Sequence, residues 1–158
     1  MSKELVEAYF EKIGRTDLQI QLFPVSSATV PLAAQALGVA PALIAKTLAF
    51  RLKERDIVVV MCGVARLNNR KFKDTFHCKA KMMTPEEAVE LVGHAVGGVC
   101  PFAVNEGVQV YLDDSLKRFE TVFPACGSGN SAIELTLPEL ETLSNFISYV
   151  DVTKLPEA

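Results

Sequence analysis

Several features that would assign this sequence to a class at once are missing. It contains no CxxC pair and only two histidines, so closely spaced zinc ligands are lacking and we expect neither a metal nor a cofactor. Its four cysteines lie far apart and are typical of buried, reduced thiols rather than of a disulfide framework. The longest nearly apolar run, residues 57–65, is too short to cross a bilayer, so we expect no membrane partner.

The composition is that of an ordinary soluble protein. Of the 158 residues, 49% are hydrophobic and 22% are charged, and no repeat, low-complexity tract or linker divides them. Residues 2–13 carry acids where a secretory signal would need an apolar segment. A chain of this length buries enough surface for one core without disulfides or metals. We therefore expect a single cytoplasmic domain over residues 1–158.

Apolar residues at helical spacing predict an amphipathic helix over residues 2–13 that ends at Gly14. Further helices are predicted over 28–37, from 68 through the basic segment after it, from 84 to 93 and from 138 to 144, and strands over 18–23, 43–51, 56–64, 108–112, 121–124 and 132–137. Because strands and helices are interspersed rather than strictly alternating, we predict a mixed α/β (α+β) fold, a curved sheet with helices packed around it.

The charges are distributed unevenly along the chain. Residues 66–81 hold six basic residues, among them Arg66, Arg70, Lys71 and Lys73, against one acid, a net charge of +5. Of the 16 basic and 19 acidic residues in total, the rest of the chain therefore holds 10 and 18, a net charge of −8. A basic face on an acidic body is typical of a protein that binds a polyanion, but a solvated surface helix gives the same pattern.

Lys46 stands out in the strand predicted over 43–51. Alternation along a strand places it on the same face as Ile44, Leu48 and Phe50, so a cation projects from an apolar row. A desolvated lysine without a partner is energetically costly. The pattern therefore indicates either a strand-end lysine with a route to solvent or a site that needs a positive charge.

A second unusual segment runs from Gly93 to Phe102, in which Pro101 follows the adjacent glycines Gly97 and Gly98. It predicts a tight loop whose backbone can approach a ligand closely and whose N–H groups suit a carbonyl or an oxyanion. Structural turns also contain adjacent glycines, so the loop alone does not define a site.

Candidate nucleophiles are scarce. Cys100 lies close to His94 in sequence, which leaves a Cys–His pair open, but so short a segment need not bring them together and the sequence indicates no orienting acid. Ser128 and Ser131 lack the GxSxG pattern of a hydrolase elbow, and the segment around them lacks the ending of a P-loop. The residues thus indicate a cation, a glycine loop and a basic face without an evident nucleophile.

At these positions the chain resembles the YbaK/EbsC family of aminoacyl-tRNA editing domains, which is related to the editing insertion of bacterial prolyl-tRNA synthetase. The resemblance covers nearly the whole chain. It rests on Ala45-Lys46-Thr47-Leu48, on the GxxxP loop from Gly97 to Pro101 and on Ile133-Glu134-Leu135. It implies a mainly antiparallel, barrel-like sheet, and hydrolysis of the ester that joins a wrong amino acid to the 3′ end of a tRNA, usually that for proline.

The resemblance also implies roles for individual residues. Lys46 matches the essential family lysine, and Gly97 and Gly98 belong to the loop that holds the substrate carbonyl, so these are the expected catalytic residues. Expected substrate contacts are Phe23, Thr47, His94, Val99, Cys100, Pro101 and Ala132, and the basic face would supply tRNA contacts through Arg66, Arg70, Lys71 and Lys73. Phe23, Cys100 and Ala132 replace the tyrosine, serine and aspartate of cysteine-specific members, which leaves the rejected amino acid open.

The implied chemistry requires little from the protein. Because an aminoacyl ester is already activated, placing it beside water and polarising its carbonyl can suffice. Lys46 is expected to position the substrate, since a lysine with an ordinary pKa is a poor base at neutral pH. The implied partners are a mischarged tRNA and prolyl-tRNA synthetase. Three alternatives stay open: a non-catalytic module that binds tRNA or a synthetase, a regulator that senses an amino acid in the same pocket, and a thiol enzyme that uses Cys100.

Overall fold

The computed structural model describes residues 2–95 and 97–156, so Val96 of the predicted glycine loop lies outside the described residues. The helices are α1 (Ser2–Lys12), α2 (Val30–Leu37), α3 (Asn69–Phe76), α4 (Pro85–Glu87) and α5 (Leu137–Ser144). The strands are β1 (Gln21–Leu22), β2 (Ile44–Arg51), β3 (Asp56–Cys62), β4 (Arg66–Leu67), β5 (Gln109–Asp113), β6 (Thr121–Pro124), β7 (Ser131–Ala132), β8 (Leu135–Thr136), β9 (Ser148–Val150) and β10 (Thr153–Lys154). A π turn, Ala88–Val92, extends α4, and 3₁₀ turns occupy Pro41–Leu43 and Asp114–Arg118.

A curled, six-stranded sheet in the order β8-β6-β2-β3-β5-β9 forms the centre of the fold. Its longest pairing is the antiparallel β2–β3 hairpin, in which Ala45 lies opposite Cys62 and Arg51 opposite Asp56. This confirms the predicted mixed α/β class with a curved sheet and surrounding helices. The β6–β8 pair is also antiparallel, whereas the β2–β6, β3–β5 and β5–β9 pairs are parallel, so the central sheet is more mixed than the resemblance implied.

The predicted helix boundaries have local causes in the structure. Asn68 caps α3, because its side-chain oxygen accepts a hydrogen bond from the Lys71 N–H. Thr84 and Glu87 form a capping box at the start of α4. Gly38, with a φ of 70°, ends α2 in the left-handed conformation that glycine adopts without strain.

Two predicted strands are shorter than expected, and three short strands, β4, β9 and β10, were not predicted. The strand expected over 18–23 is reduced to Gln21–Leu22, which pairs with β7 in a separate two-stranded sheet. The strand expected over 132–137 is divided, because the chain leaves β1 after Ala132 and joins β6 at Leu135. Strands β9 and β10 pair with β5 and β4, and such short elements far from their partners in sequence leave no periodic pattern.

Phenylalanine side chains orient the basic helix α3. Phe72 and Phe76 are buried against Phe50 in a core cluster beneath the helix. Burial of each such ring stabilises the fold by roughly 1.5–3 kcal/mol. Because these rings lie on one face of α3, the exposed side chains of Arg70 and Lys73 lie on the surface.

Candidate functional site

The central strand β2 opens on one edge and creates a cavity. That edge pairs with β6 only through Ile44 and Ala45. It pairs again only further along, where the N–H of Met83 donates to the Ala49 carbonyl and the N–H of Arg51 donates to the Lys81 carbonyl. Between these two contacts lies a cavity of about 300 Å³, lined among others by Ser27, Thr29, Lys46, Thr47, Gly97 and Ser131.

Lys46 brings the only charge to the described lining of this cavity. Its side chain is half-buried, and its Nζ donates a 2.6 Å hydrogen bond to the Ala65 carbonyl. Burial lowers the pKa of Lys46 below its usual value, and the nearby charge of Arg66 lowers it further. One of the three N–H donors of the amine is therefore engaged with the turn after β3, and two remain for a ligand.

The turn that holds Lys46 depends on a glycine. A Cβ on Gly63 would collide with the Pro41 carbonyl oxygen and would lie 2.9 Å from the Val30 side chain. The turn after β3 can therefore pack closely only with glycine at this position, and the same turn presents the Ala65 carbonyl to the lysine.

Gly97 and Gly98, which the sequence suggested as a pair of oxyanion donors, have different environments. Gly97 lines the cavity with a φ of 91°, and a Cβ on it would lie 2.8 Å from the Cβ of Ala28. Gly98 is buried, and its N–H donates to the Ala95 carbonyl at 2.9 Å. The Gly98 amide is thus already engaged within the loop, which removes the physical basis of its expected role as an oxyanion donor.

Gly98 instead allows two loops to pack against each other. A Cβ on it would lie 2.5 Å from the main chain of Gly127 and Ser128, and its carbonyl accepts a 3.0 Å bond from the Gly127 N–H. The loop around Gly127 carries Ser131, whose Oγ accepts from the N–H groups of Cys126 and Ser128. Sequence reasoning examined this serine only as a nucleophile and missed its place in the cavity wall; the signal for it was the cluster of glycines and serines.

His94 and Cys100 face each other, but they lie in the core rather than at the cavity. Both side chains are fully buried, with the Cys100 Sγ 3.6 Å from the His94 Nε2. The same nitrogen lies 2.7 Å from the Phe102 carbonyl, which can only accept, so Nε2 carries the proton and cannot take one from the thiol. Burial lowers the pKa of His94 and raises the pKa of Cys100 to about 12.

This arrangement disfavours the thiol-enzyme alternative, since at neutral pH the thiol is protonated and the nearest base is blocked. His94 instead closes the glycine loop by binding the carbonyl of Phe102 at its far end. Neither residue is part of the cavity lining, so the structure gives no support to their expected substrate contacts.

Of the remaining expected substrate contacts, some line the cavity and others do not. Thr47, Val99 and Ala132 line the cavity. Phe23 and Pro101 are not among its described lining residues: the Phe23 N–H donates a 2.9 Å bond to the Asn130 carbonyl, and Pro101 is buried. Much of the wall comes from residues that sequence reasoning did not select: Ser27, Ala28, Val30, Ala33, Met82, Met83, Phe123 and Ala125.

The expected tRNA contacts also separate into two groups. Arg70 and Lys73 line a second hollow of about 450 Å³ together with Lys79, which was not among the selected residues. Lys71 instead binds the Asp151 carboxylate at 3.0 Å and the Thr153 carbonyl at 2.9 Å, so it ties α3 to the C-terminal segment. Arg66 is exposed and close enough to Lys46 to affect its pKa.

Two further features are absent from the part of the chain that the structure describes. Within 2–95 and 97–156, no group of three or more His, Cys, Asp or Glu side chains could hold a metal ion. Over that part of the chain, no helix has the length and apolar character needed to span a membrane.

Comparison with known proteins gives a consistent result. The profile of the aminoacyl-tRNA editing domain family matches residues 25–143. The uncharacterized protein YwhH of Bacillus subtilis (strain 168) is 47% identical over 98% of this chain and 98% of its own length. The proline–tRNA ligase of Geobacillus sp. (strain WCH70) is 30% identical over 63% of this chain, a match that covers 18% of the ligase.

Among solved structures, the crystal structure of a candidate trans-editing enzyme for prolyl tRNA synthetase matches with a TM-score of 0.88 and 30% identity, over 97% of each chain. The family profile spans most of this chain and every residue that lines the cavity. The chain therefore belongs to the aminoacyl-tRNA editing domain family, which confirms the resemblance noted from its three motifs.

Proposed function

We propose that this protein hydrolyses the ester bond of a mischarged aminoacyl-tRNA in trans, after another enzyme has charged the tRNA. The observation that carries the proposal is that one cavity is lined by Lys46, by Gly97 of the glycine loop and by an unpaired strand edge. Its volume of about 300 Å³ is at the lower end of the range for small-molecule sites, which suits an aminoacyl group and part of the terminal ribose.

The cavity wall favours a small amino acid with a neutral side chain. Apart from Lys46, the described lining consists of apolar side chains, glycine, serine and threonine, with alanines such as Ala33, Ala88 and Ala132 on several sides. No carboxylate among the lining residues described would pair with a basic amino acid side chain. An acidic one would have only the amine already bound to Ala65.

Lys46 acts in this proposal as a positioning cation. Its half-buried amine would hold the terminal phosphate or ribose oxygens, or stabilise negative charge that develops on the ester carbonyl, and the support is that Lys46 lines the cavity. The hydrogen bond to the Ala65 carbonyl stabilises the charged form, which is a donor and not a base. Water then attacks the carbonyl carbon, and no protein nucleophile is required.

Mischarged tRNA panels provide the test. The tRNA for proline, charged in separate samples with alanine, serine, cysteine or proline, is incubated with the protein and free amino acid is measured. We expect release of at least one neutral amino acid other than proline, and a fall of about 10²-fold in turnover for Lys46→Met, the loss typical of a removed charge-stabilising group. Lys53→Met, which removes an exposed charge in the β2–β3 turn, is the matched control.

The outcomes separate the alternatives that the sequence left open. Undiminished turnover in a folded Lys46→Met variant would remove Lys46 from the mechanism. Binding of charged tRNA without release of any amino acid would favour a non-catalytic module. Thermal stabilisation by a free amino acid, with no effect of tRNA, would favour a sensor.

The second hollow is the proposed contact for the tRNA backbone. Arg70, Lys73 and Lys79 converge on it, and no acid is among its described lining residues. We expect Arg70→Glu, Lys73→Glu and Lys79→Glu each to weaken tRNA binding and to reduce its dependence on salt, because each cation displaces condensed counterions. Lys12→Glu on α1 makes the same charge change elsewhere and is the control. Salt-independent tRNA binding would contradict this part of the proposal.

Prolyl-tRNA synthetase is the proposed source of the mischarged tRNA. The support is the 30% identity to a segment of a proline–tRNA ligase, together with the match to a candidate trans-editing enzyme for prolyl tRNA synthetase. Adding that synthetase to the editing assay tests for a physical association: faster release at equal substrate concentration indicates one, and an unchanged rate argues against it.

A further inference from the structure

The open edge of β2 leaves the main chain of one residue exposed to the cavity. N–H and C=O groups of successive strand residues point alternately to the two edges of the strand. At the edge away from β3, the Ala49 carbonyl accepts from Met83 and the Arg51 N–H donates to Lys81. Thr47 lies two residues before Ala49, so by this alternation its N–H and C=O point to the same edge as those of Ala49 and Arg51.

The far side of the hairpin supports this orientation. Thr47 lies opposite Val60 in β3, in the same alternating series as Ala45 opposite Cys62. The Cys62 N–H donates to the Ser115 Oγ and so points away from β2. These opposed residues therefore do not exchange hydrogen bonds, which leaves the Thr47 groups facing the other edge.

At that edge the Thr47 main chain has no partner in the part of the chain that the structure describes. Pairing with β6 ends at Ala45, and the next contact begins at Ala49. Thr47 itself lines the cavity, between Lys46 and Leu48. A main-chain donor and acceptor withdrawn from pairing are costly unless water or a ligand satisfies them, so this interruption marks a place where a ligand can complete the sheet.

We infer that the aminoacyl group of the substrate occupies this gap as a one-residue antiparallel bridge to Thr47. In a hydrogen-bonded antiparallel pair, the N–H and C=O of one residue bind the C=O and N–H of the other. An aminoacyl ester offers the same two groups: its α-ammonium donates to the Thr47 carbonyl, and its ester carbonyl accepts from the Thr47 N–H. This inference rests on the proposed function and identifies main-chain contacts for the part common to every aminoacyl ester.

The bridge also supplies the donor that Gly98 cannot. When the oxygen of a water molecule bonds to the ester carbon, the carbonyl oxygen gains negative charge beside the Thr47 N–H, and this hydrogen bond becomes stronger. Collapse of the intermediate breaks the bond to the ribose oxygen, which leaves with a proton from the attacking water. The products are the free amino acid and the tRNA 3′-end hydroxyl.

Removal of the donor without a change of side chain tests the inference. Replacing Thr47 by its α-hydroxy analogue turns the amide into a backbone ester, which deletes the N–H, keeps the side chain and weakens the Lys46 carbonyl as an acceptor on the β3 side. We expect kcat for the alanyl ester of the tRNA for proline to fall by about 10²-fold, the loss typical of one oxyanion donor. The same replacement at Glu54, in the exposed β2–β3 turn, is the control and should leave kcat unchanged. A folded Thr47 ester variant with wild-type kcat would overturn the inference.

A second measurement uses the unmodified protein and does not depend on the folding of a variant. The propionyl ester of the same tRNA matches the alanyl ester in size but lacks the ammonium. Loss of a charge-assisted hydrogen bond should raise KM by roughly 10–100-fold, with rates normalised to spontaneous hydrolysis of each ester. Equal KM values would overturn the inference while leaving the proposed function intact. If the wild-type protein cleaved no ester at all, the proposed function would fail, and the bridge to Thr47 with it.

Discussion

The glycine loop has one side at the cavity and the other in the core, and its most reactive residue types are on the core side. Gly97 lines the cavity, whereas His94 and Cys100 are fully buried behind it. In sequence these residues look like one catalytic cluster. The structure shows that accessibility, rather than residue type, divides them into a residue at the cavity and a buried pair behind it.

Residues at the cavity and residues in the core should also differ in what their substitution changes, activity or stability. Lys46 on the cavity side has a pKa lowered by burial, so its charged form is held at a cost to the fold. His94 on the core side makes a 2.7 Å hydrogen bond that fastens the loop. Substitutions at the cavity should therefore reduce activity more than stability, and substitutions in the core should do the reverse.

Gly98→Ala should lower stability and activity more than any other variant proposed here, because it disturbs both the cavity side and the core side of the glycine loop. The new Cβ would lie 2.5 Å from the main chain of Gly127 and Ser128, so the two loops must separate. We expect the free energy of unfolding to fall by about 1–3 kcal/mol and deacylation to be lost, measured by urea denaturation and amino acid release. Gly129→Ala in the facing loop is the control, because its Cβ would lie an ordinary 3.5 Å from Ala28. Equal effects of the two variants would contradict the close approach at Gly98.

His94→Phe tests the core side alone. It keeps an aromatic ring but removes the stronger donor to Phe102, leaving that buried carbonyl with the weak 3.7 Å hydrogen bond from the Cys100 thiol. The expected loss in the free energy of unfolding is about 1–3 kcal/mol, with kcat within a few-fold of wild type well below the melting temperature. A loss of kcat by two orders of magnitude or so at unchanged stability would instead place His94 in contact with the substrate.

The parts of this fold that were predictable from sequence are those with local causes. The helix starts at Asn68 and Thr84, the cap at Gly38 and the β2–β3 hairpin follow from neighbouring residues and were predicted correctly. Lys46 was recognisable because a cation in an apolar strand breaks a local rule.

Features that depend on distant partners were not predictable. The division of the strand at 132–137 depends on which neighbour each half meets. The pairing of Lys71 with Asp151 joins residues far apart in sequence, so a charge run could not distinguish Lys71 from Arg70 and Lys73, which line the second hollow. The interruption in β2 pairing at Thr47 likewise depends on where β6 ends and where residues 81–83 begin to pair.

The protonation of Lys46 should make both stability and activity depend on pH, an effect smaller than those of the two variants above. Because the folded protein binds this proton less tightly than the unfolded chain, the free energy of unfolding should rise with pH between the lowered pKa and the ordinary value of 10.5. Over the same interval the positioning charge is lost, so enzyme-dependent deacylation should decline below pH 10.5. Lys46→Arg should keep its charge and shift that decline upward. Identical pH profiles for the two proteins, after subtraction of spontaneous hydrolysis, would remove the titration of Lys46 from the mechanism.

The smallest effect is expected for Cys100→Ser, which tests the thiol-enzyme alternative directly. The thiol is fully buried, its pKa is raised to about 12, and the neighbouring His94 nitrogen is engaged with Phe102. A serine hydroxyl is a far weaker nucleophile than a thiolate, so a thiol enzyme would lose its activity in this variant. We expect kcat to remain within about two-fold of wild type, and the hydroxyl to keep a hydrogen bond to the Phe102 carbonyl.

Alkylation by iodoacetamide provides an independent measurement, because half-buried Cys78 should react before Cys100, which reacts only on unfolding. Fast modification of Cys100 with loss of activity would reverse the assignment of the two sides of the loop.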